Sequence, residues 1–139
     1  KSELFENPIF GGLIRRCHAF PVKRGASDRG AIKAAVNILK EGRVFGMFPE
    51  GRRSKTGALQ KAEGGVALIA AMTGAPVVPV AILNTHRVFA NGGILPALRI
   101  MYGRPLYFQG DRKDKEDLAL FSNEIMQQIA CMRDELNCK

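Results

Sequence analysis

Cysteine is scarce in this 139-residue chain: Cys17, Cys131 and Cys138 form no Cys-x-x-Cys pair and leave an odd count. Neither a disulfide framework nor a structural zinc site is legible in that spacing, and the usage fits a reducing cytosol. Long apolar runs are lacking too. The longest, Val66 to Leu83, is broken by Thr73, Gly74, Pro76 and Pro79, so no segment is long and apolar enough to span a bilayer. Aromatic residues are limited to eight phenylalanines and two tyrosines. None is interleaved with the basic run Arg52 to Lys55, where single-stranded nucleic acid needs stacking platforms. Acidic residues are outnumbered, thirteen against twenty-one lysines and arginines, for a formal net charge of +8. An anionic partner such as phosphate, nucleic acid or lipid headgroups is therefore expected.

What is present fits one domain covering residues 1–139, with 46% hydrophobic and 24% charged residues. The positive charge is concentrated. Between Arg15 and Lys61 stand twelve lysines and arginines against only Asp28, Glu41 and Glu50, so this third of the chain holds all of the excess and the remainder is close to neutral. A localised anion site fits better than a uniformly basic coat. Arg29, Lys33, Lys40 and Arg43 lie on or beside a predicted helix and read as solvated side chains; Arg52 and Arg53 lie in a loop.

Short β-like runs alternate with helical ones, the pattern of an α/β layer fold with a mostly parallel or mixed sheet flanked by helices. Ala19 to Val22 reads as a strand. Ser27 or Asp28 can cap a helix whose apolar positions Ala31, Ala35, Ile38 and Leu39 recur until Gly42 stops it. Val44 to Phe48 reads as a buried strand ending at Pro49. After a polar loop, Gly64 to Thr73 reads as a helix ended by Gly74, and Val77 to Ile82 as a strand whose Pro79 requires an edge or a bulge. Asn84 to Pro96 carries loop signals. Leu98 to Tyr102 is a further strand candidate, and a closing helix keeps Leu118, Phe121, Ile125, Ile129 and Met132 on one face.

The stretch from Gly46 to Gly57 is the most informative. A strand running into Pro49-Glu50-Gly51 and then two arginines places guanidinium groups and loop N–H donors at a strand's carboxyl end, where open α/β sheets bind ligands. Arginine suits phosphate because its planar fork donates two parallel charge-assisted hydrogen bonds. Glu50 can pair with an arginine, or accept a proton or hydroxyl hydrogen bond from a substrate. A nucleotide P-loop is excluded: Gly46-x4-Gly51 has half the frame, but Arg52-Arg53 stands where Lys-Ser/Thr is required.

Phe48-Pro49-Glu50-Gly51-Arg52-Arg53-Ser54 resembles the FPEGTRS block of the glycerolipid acyltransferases, most of all the bacterial members that acylate lysophosphatidic acid. Three further blocks follow the family's order. Lys1 to Leu4 with Pro8, Gly11 and Phe20-Pro21-Val22-Lys23-Arg24-Gly25 is similar to the block ending in a phosphate-contacting arginine. Ala75-Pro76-Val77-Val78-Pro79-Val80-Ala81-Ile82 resembles the VPV block, and Tyr102-Gly103-Arg104-Pro105-Leu106 the FGxPL strand end. The resemblance implies a glycerol-3-phosphate acyltransferase-like fold. It assigns phosphate binding to Arg24 and Arg53, with Lys1 a further candidate. Glu50 and Gly51 are to shape the glycerol-phosphate pocket, Ser54 to support the loop, and Val78 and Pro79 to line the acyl side, although ordinary strand packing accounts for those two equally well.

The implied reaction moves a fatty acyl group from an acyl carrier protein or coenzyme A thioester to the sn-2 hydroxyl of lysophosphatidic acid, giving phosphatidic acid. No metal or bound organic cofactor is implied. Attachment is expected to be peripheral, at the cytoplasmic face of a bacterial cell membrane. The family's His-x4-Asp block, a base oriented by a carboxylate, is expected upstream of Lys1, which makes the domain N-terminally incomplete. His18 is followed five residues on by Lys23 and His86 by Asn91, so both read as non-catalytic. Other departures are His18 where relatives commonly have glycine, Lys23 for aspartate and Arg52 for threonine. The alternative from another class is a non-catalytic basic module binding anionic membrane or nucleic acid.

Overall fold

The computed structural model describes residues 8–16, 18–19, 28–52, 54, 57–85 and 97–138. They belong to two compact units, Lys1–Phe45 and Gly46–Lys139.

The first unit holds two helices, α1 (Pro8–Arg16) and α2 (Arg29–Lys40). Sequence reading assigned no helix to α1. It opens on Pro8, whose fixed φ and missing N–H suit a first helical position. In α2 the Asp28 carboxylate accepts the Ala31 N–H at 3.1 Å, satisfying one of the donors left open at a helix start. At the other end Gly42 adopts φ 73°, its N–H reaching the Leu39 carbonyl while the Arg43 N–H reaches that of Ile38. This paired closure is a Schellman motif. Ala35 and Val36 are the buried residues of the helix, whereas Arg29, Lys33, Lys40 and Arg43 are exposed, as their helical spacing predicts.

The second unit is built from α3 (Gly65–Thr73), β1 (Val80–Leu83), β2 (Arg99–Tyr102) and α4 (Lys115–Cys138). Glycines delimit α3: Gly64 is its N-cap, and Gly74, at φ 67°, ends it by donating to the Ala70 carbonyl. The Asp114 side chain caps α4 by accepting the Glu116 N–H at 2.8 Å. β1 and β2 pair antiparallel, with Val80 opposite Tyr102 and Ile82 opposite Ile100. The intervening residues point to the other face, where Ala81 is buried and Leu83 and Met101 pack against the α4 side chains. The core joins Val66, Ala67 and Ala70 of α3 to Phe121, Ile125, Ile129, Met132 and Leu136 of α4. Phe108 meets Phe121 edge to face at 5.5 Å, and Arg99 donates to the Leu136 carbonyl near the C-terminal end of α4.

Pro79 sits where the ladder is interrupted. Val77 and Leu106 exchange both backbone hydrogen bonds at 2.8 Å. Between that bridge and the Val80–Tyr102 pair lie two residues on one side and three, Gly103, Arg104 and Pro105, on the other. The mismatch is a bulge, as expected for a proline in this run. Pro79 and Pro105 both lack an N–H, and both fall inside it. The Pro79 carbonyl still accepts the Gly103 N–H at 2.8 Å.

One expectation is corrected. Val44 to Phe48 is not a buried strand: it carries no strand ladder, and Val44 is 95% and Phe48 77% exposed. Strand propensity describes a fit to a half-buried pleated surface, and among the described residues no neighbouring strand supplies one. Among the described residues the sheet is a two-stranded antiparallel pair, so the chain is α/β in the broad sense of helices packed on a sheet. The proposed strand from Ala19 to Val22 lies outside the described residues beyond Ala19 itself. No described helix is long and apolar enough to cross a membrane.

Candidate functional site

The segment from Phe48 to Gly64 leads into α3, and backbone geometry ties its two ends together. Pro49 and Glu50 form a turn in which the Gly51 N–H donates to the Phe48 carbonyl at 3.1 Å. Gly51 emerges at φ 64°, a left-handed conformation that disfavours any side chain. A Cβ there would stand 2.9 Å from Cγ of Glu63. Glu63 in turn donates its N–H to the Pro49 carbonyl at 2.8 Å. One residue further along the first stem, Oε2 of Glu50 accepts the Gln60 N–H, also at 2.8 Å.

Glu50, Gly51 and Ser54 thus belong to one closed loop, with Glu50 and Ser54 half-buried and Arg52 exposed. Among the described residues the partner of the Glu50 carboxylate is a backbone amide, that of Gln60. Gln60 and Glu63, which sequence reasoning missed, complete the closure. Their contribution is made largely by main-chain N–H groups, which every non-proline residue carries, so side-chain identity gave no signal. The available clue was the solitary position of Glu50 among cations, ahead of a helix that opens at Glu63-Gly64-Gly65.

The three residues assigned to phosphate, Lys1, Arg24 and Arg53, lie outside the described residues, as does His86. Val78 is 45% exposed beside the bulge. Pro79 is buried, and its carbonyl is occupied by Gly103, so strand packing accounts for it directly. His18 is exposed and adopts φ 55°. Among the described residues no group of three or more histidine, cysteine, aspartate or glutamate side chains is arranged to hold a metal ion. Cys131 and Cys138 are free thiols on the exposed side of α4.

The closed loop lies within the stretch of the chain that is similar to known proteins. Over 143 aligned residues the chain is 33% identical to a 1-acyl-sn-glycerol-3-phosphate acyltransferase of Bacillus subtilis, covering 99% of this chain and 68% of that protein. It is 32% identical to the protein of the same name from Streptococcus pneumoniae, covering 97% of this chain and 50% of the relative. A chloroplastic 1-acyl-sn-glycerol-3-phosphate acyltransferase of Brassica napus is 34% identical over 77% of this chain and 33% of its own length. The chain therefore spans half or less of the latter two relatives. No solved structure matches it. The Acyltransferase family model matches residues 1–83, which include the whole closed loop, and the chain belongs to the Acyltransferase family.

Proposed function

We propose that this chain is the acceptor-binding part of a 1-acyl-sn-glycerol-3-phosphate acyltransferase, which transfers a fatty acyl group to the sn-2 hydroxyl of lysophosphatidic acid. The observation that carries the reading is the closed loop from Phe48 to Glu63. It holds Gly51 in a conformation that needs glycine and ties the Pro49–Glu50 turn to the backbone of Gln60 and Glu63. The family match and the names of the relatives support the same activity.

In the proposed reaction the acceptor hydroxyl oxygen attacks the carbonyl carbon of an acyl carrier protein or coenzyme A thioester, and its proton passes to a base. Collapse of the tetrahedral adduct breaks the carbon–sulfur bond. The departing thiolate takes up the proton, leaving phosphatidic acid and a free thiol. This chain's part is to bind and orient. Arg24 and Arg53 are assigned to the acceptor phosphate, with Lys1 as a further cation, because guanidinium groups bind phosphate through paired charge-assisted hydrogen bonds. Glu50, Gly51 and Ser54 build the loop, and Val78, with Pro79 behind it, is assigned to the acyl side. Neither histidine stands five residues before an aspartate, as a His-x4-Asp block requires, so the base is not assigned to these residues. The finer architecture, a layered and mostly parallel or mixed sheet, belongs to the same proposal, as does peripheral attachment to the cytoplasmic face of the membrane through basic residues. No cofactor is assigned.

The test is acyl transfer by a polypeptide joining this chain to a His-x4-Asp segment. The expected result is thiol release matched by phosphatidic acid when acyl thioester and lysophosphatidic acid are supplied. A folded product that turns over none of the lysophospholipids or glycerol phosphates offered refutes the proposal.

A further inference from the structure

Along α2 the exposed residues Arg29, Lys33 and Lys40 fall within about 40° of one another around the helix axis. The helix carries no acidic residue. Among the described residues the ion pair at this helix joins Arg43 to Glu41, beyond its last turn, and Lys33 and Lys40 have none. A face of the opposite sign lies on α4. An open groove of about 390 Å³ runs between the Pro105–Gln109 segment and the first turns of that helix, lined by Leu106, Tyr107, Asp117, Leu120 and Glu124 and by no lysine or arginine. Tyr107 and Leu120 are 60% and 66% exposed there. Oδ2 of Asp117 is held by accepting the Asp111 N–H at 2.7 Å, whereas Glu124 is exposed and has no partner among the described residues. Apolar surface set between two carboxylates suits lysine, whose aliphatic stem can cover Leu120 and Tyr107 while its ammonium reaches an oxygen.

The two faces match in spacing as well as in sign. Lys33 and Lys40 stand two turns apart on α2, as Asp117 and Glu124 do on α4, which separates each pair by about 10.5 Å along its axis. We propose that α2 of one copy of this chain docks in the α4 groove of a second copy, antiparallel, with Lys33 at Glu124 and Lys40 at Asp117. The flanking residues set the direction. Antiparallel alignment brings Arg29 level with Gln128, whereas parallel alignment brings it level with Lys113, a like charge. The contact is head to tail, since different faces of the two copies meet. Exposed ion pairs contribute little each, so the association is weak and falls as salt is raised. Nothing in this contact depends on the acyltransferase activity.

Sedimentation equilibrium over a concentration series reads the association, with circular dichroism to establish that each variant is folded. Lys33→Glu and Glu124→Lys, both at exposed positions, are each expected to weaken it about tenfold. Combined in one chain, K33E/E124K restores opposite charges at the same contact and is expected to return to within about threefold of the parent. K40E/E124K keeps the parent's net charge but leaves like charges at both contacts, and is expected to stay at least about tenfold weaker. A mixture of the two single variants is expected to associate as the parent does, through the unchanged α2 of one and the unchanged α4 of the other. A contact between two α2 helices, or within one chain, does not allow that recovery. A parent chain that stays monomeric across the series overturns the proposal. So does a K33E/E124K chain that associates no better than either single variant, a mixture that associates no better than its components, or equal recovery in K40E/E124K, since net charge would then set the association.

Discussion

His18 holds a backbone φ of 55°, in the left-handed region where a Cβ crowds the following carbonyl. Its side chain is exposed, so it offers no burial to offset that strain, which is about 1–2 kcal/mol for a residue with a Cβ. The family resemblance puts glycine at this position, and the backbone gives the reason. Glycine loses about 0.5–1 kcal/mol more conformational freedom on folding, less than the strain it relieves. His18→Gly is therefore expected to stabilise the protein by roughly 0.5–1 kcal/mol, read as a higher urea midpoint with an unchanged slope. At Gly51 the sequence motif marked the residue and the structure supplies the cause, a positive φ and the close Glu63 side chain. Glu50 was legible as important but not in its role: sequence weighs side chain against side chain, and its partner here is a main-chain amide.

Elements bounded by local chemistry were read well. Asp28 and Gly42 delimit α2, Gly64 and Gly74 delimit α3, and these caps act within a few residues of chain. The spacing of Phe121, Ile125, Ile129 and Met132 gave the buried face of α4, which runs on to Cys138. Val44 to Phe48 was misread because a strand is completed by its neighbours, which a run of apolar residues does not specify. α1 was missed because its two glycines and short length weaken the helical pattern. The α4 interface makes a direct prediction. Ile125 is 2% exposed in the centre of the core, whereas Leu120 is 66% exposed on the same helix. Ile125→Ala is expected to destabilise by about 2–5 kcal/mol, as cavity-forming core truncations do. Leu120→Ala is expected to stay within about 0.5 kcal/mol. Chemical denaturation of both variants checks the contrast, and equal losses would contradict this packing.

For the whole molecule the question is whether positive charge acts as a diffuse field or as a site. The exposed cations of α2 contribute to a field that salt screens over about 10 Å. The loop closed by Pro49, Glu50, Gln60 and Glu63 is a built element, and the Acyltransferase match covers it. The most direct test compares lysophosphatidic acid with lysophosphatidylcholine of the same chain length, binding to the parent chain, Arg53→Ala and Lys40→Ala. The account predicts that the parent prefers the phosphate monoester, that Arg53→Ala loses this preference, and that Lys40→Ala keeps it. A parent chain that binds both lipids alike, with affinity that only falls steeply as salt is raised, would contradict it.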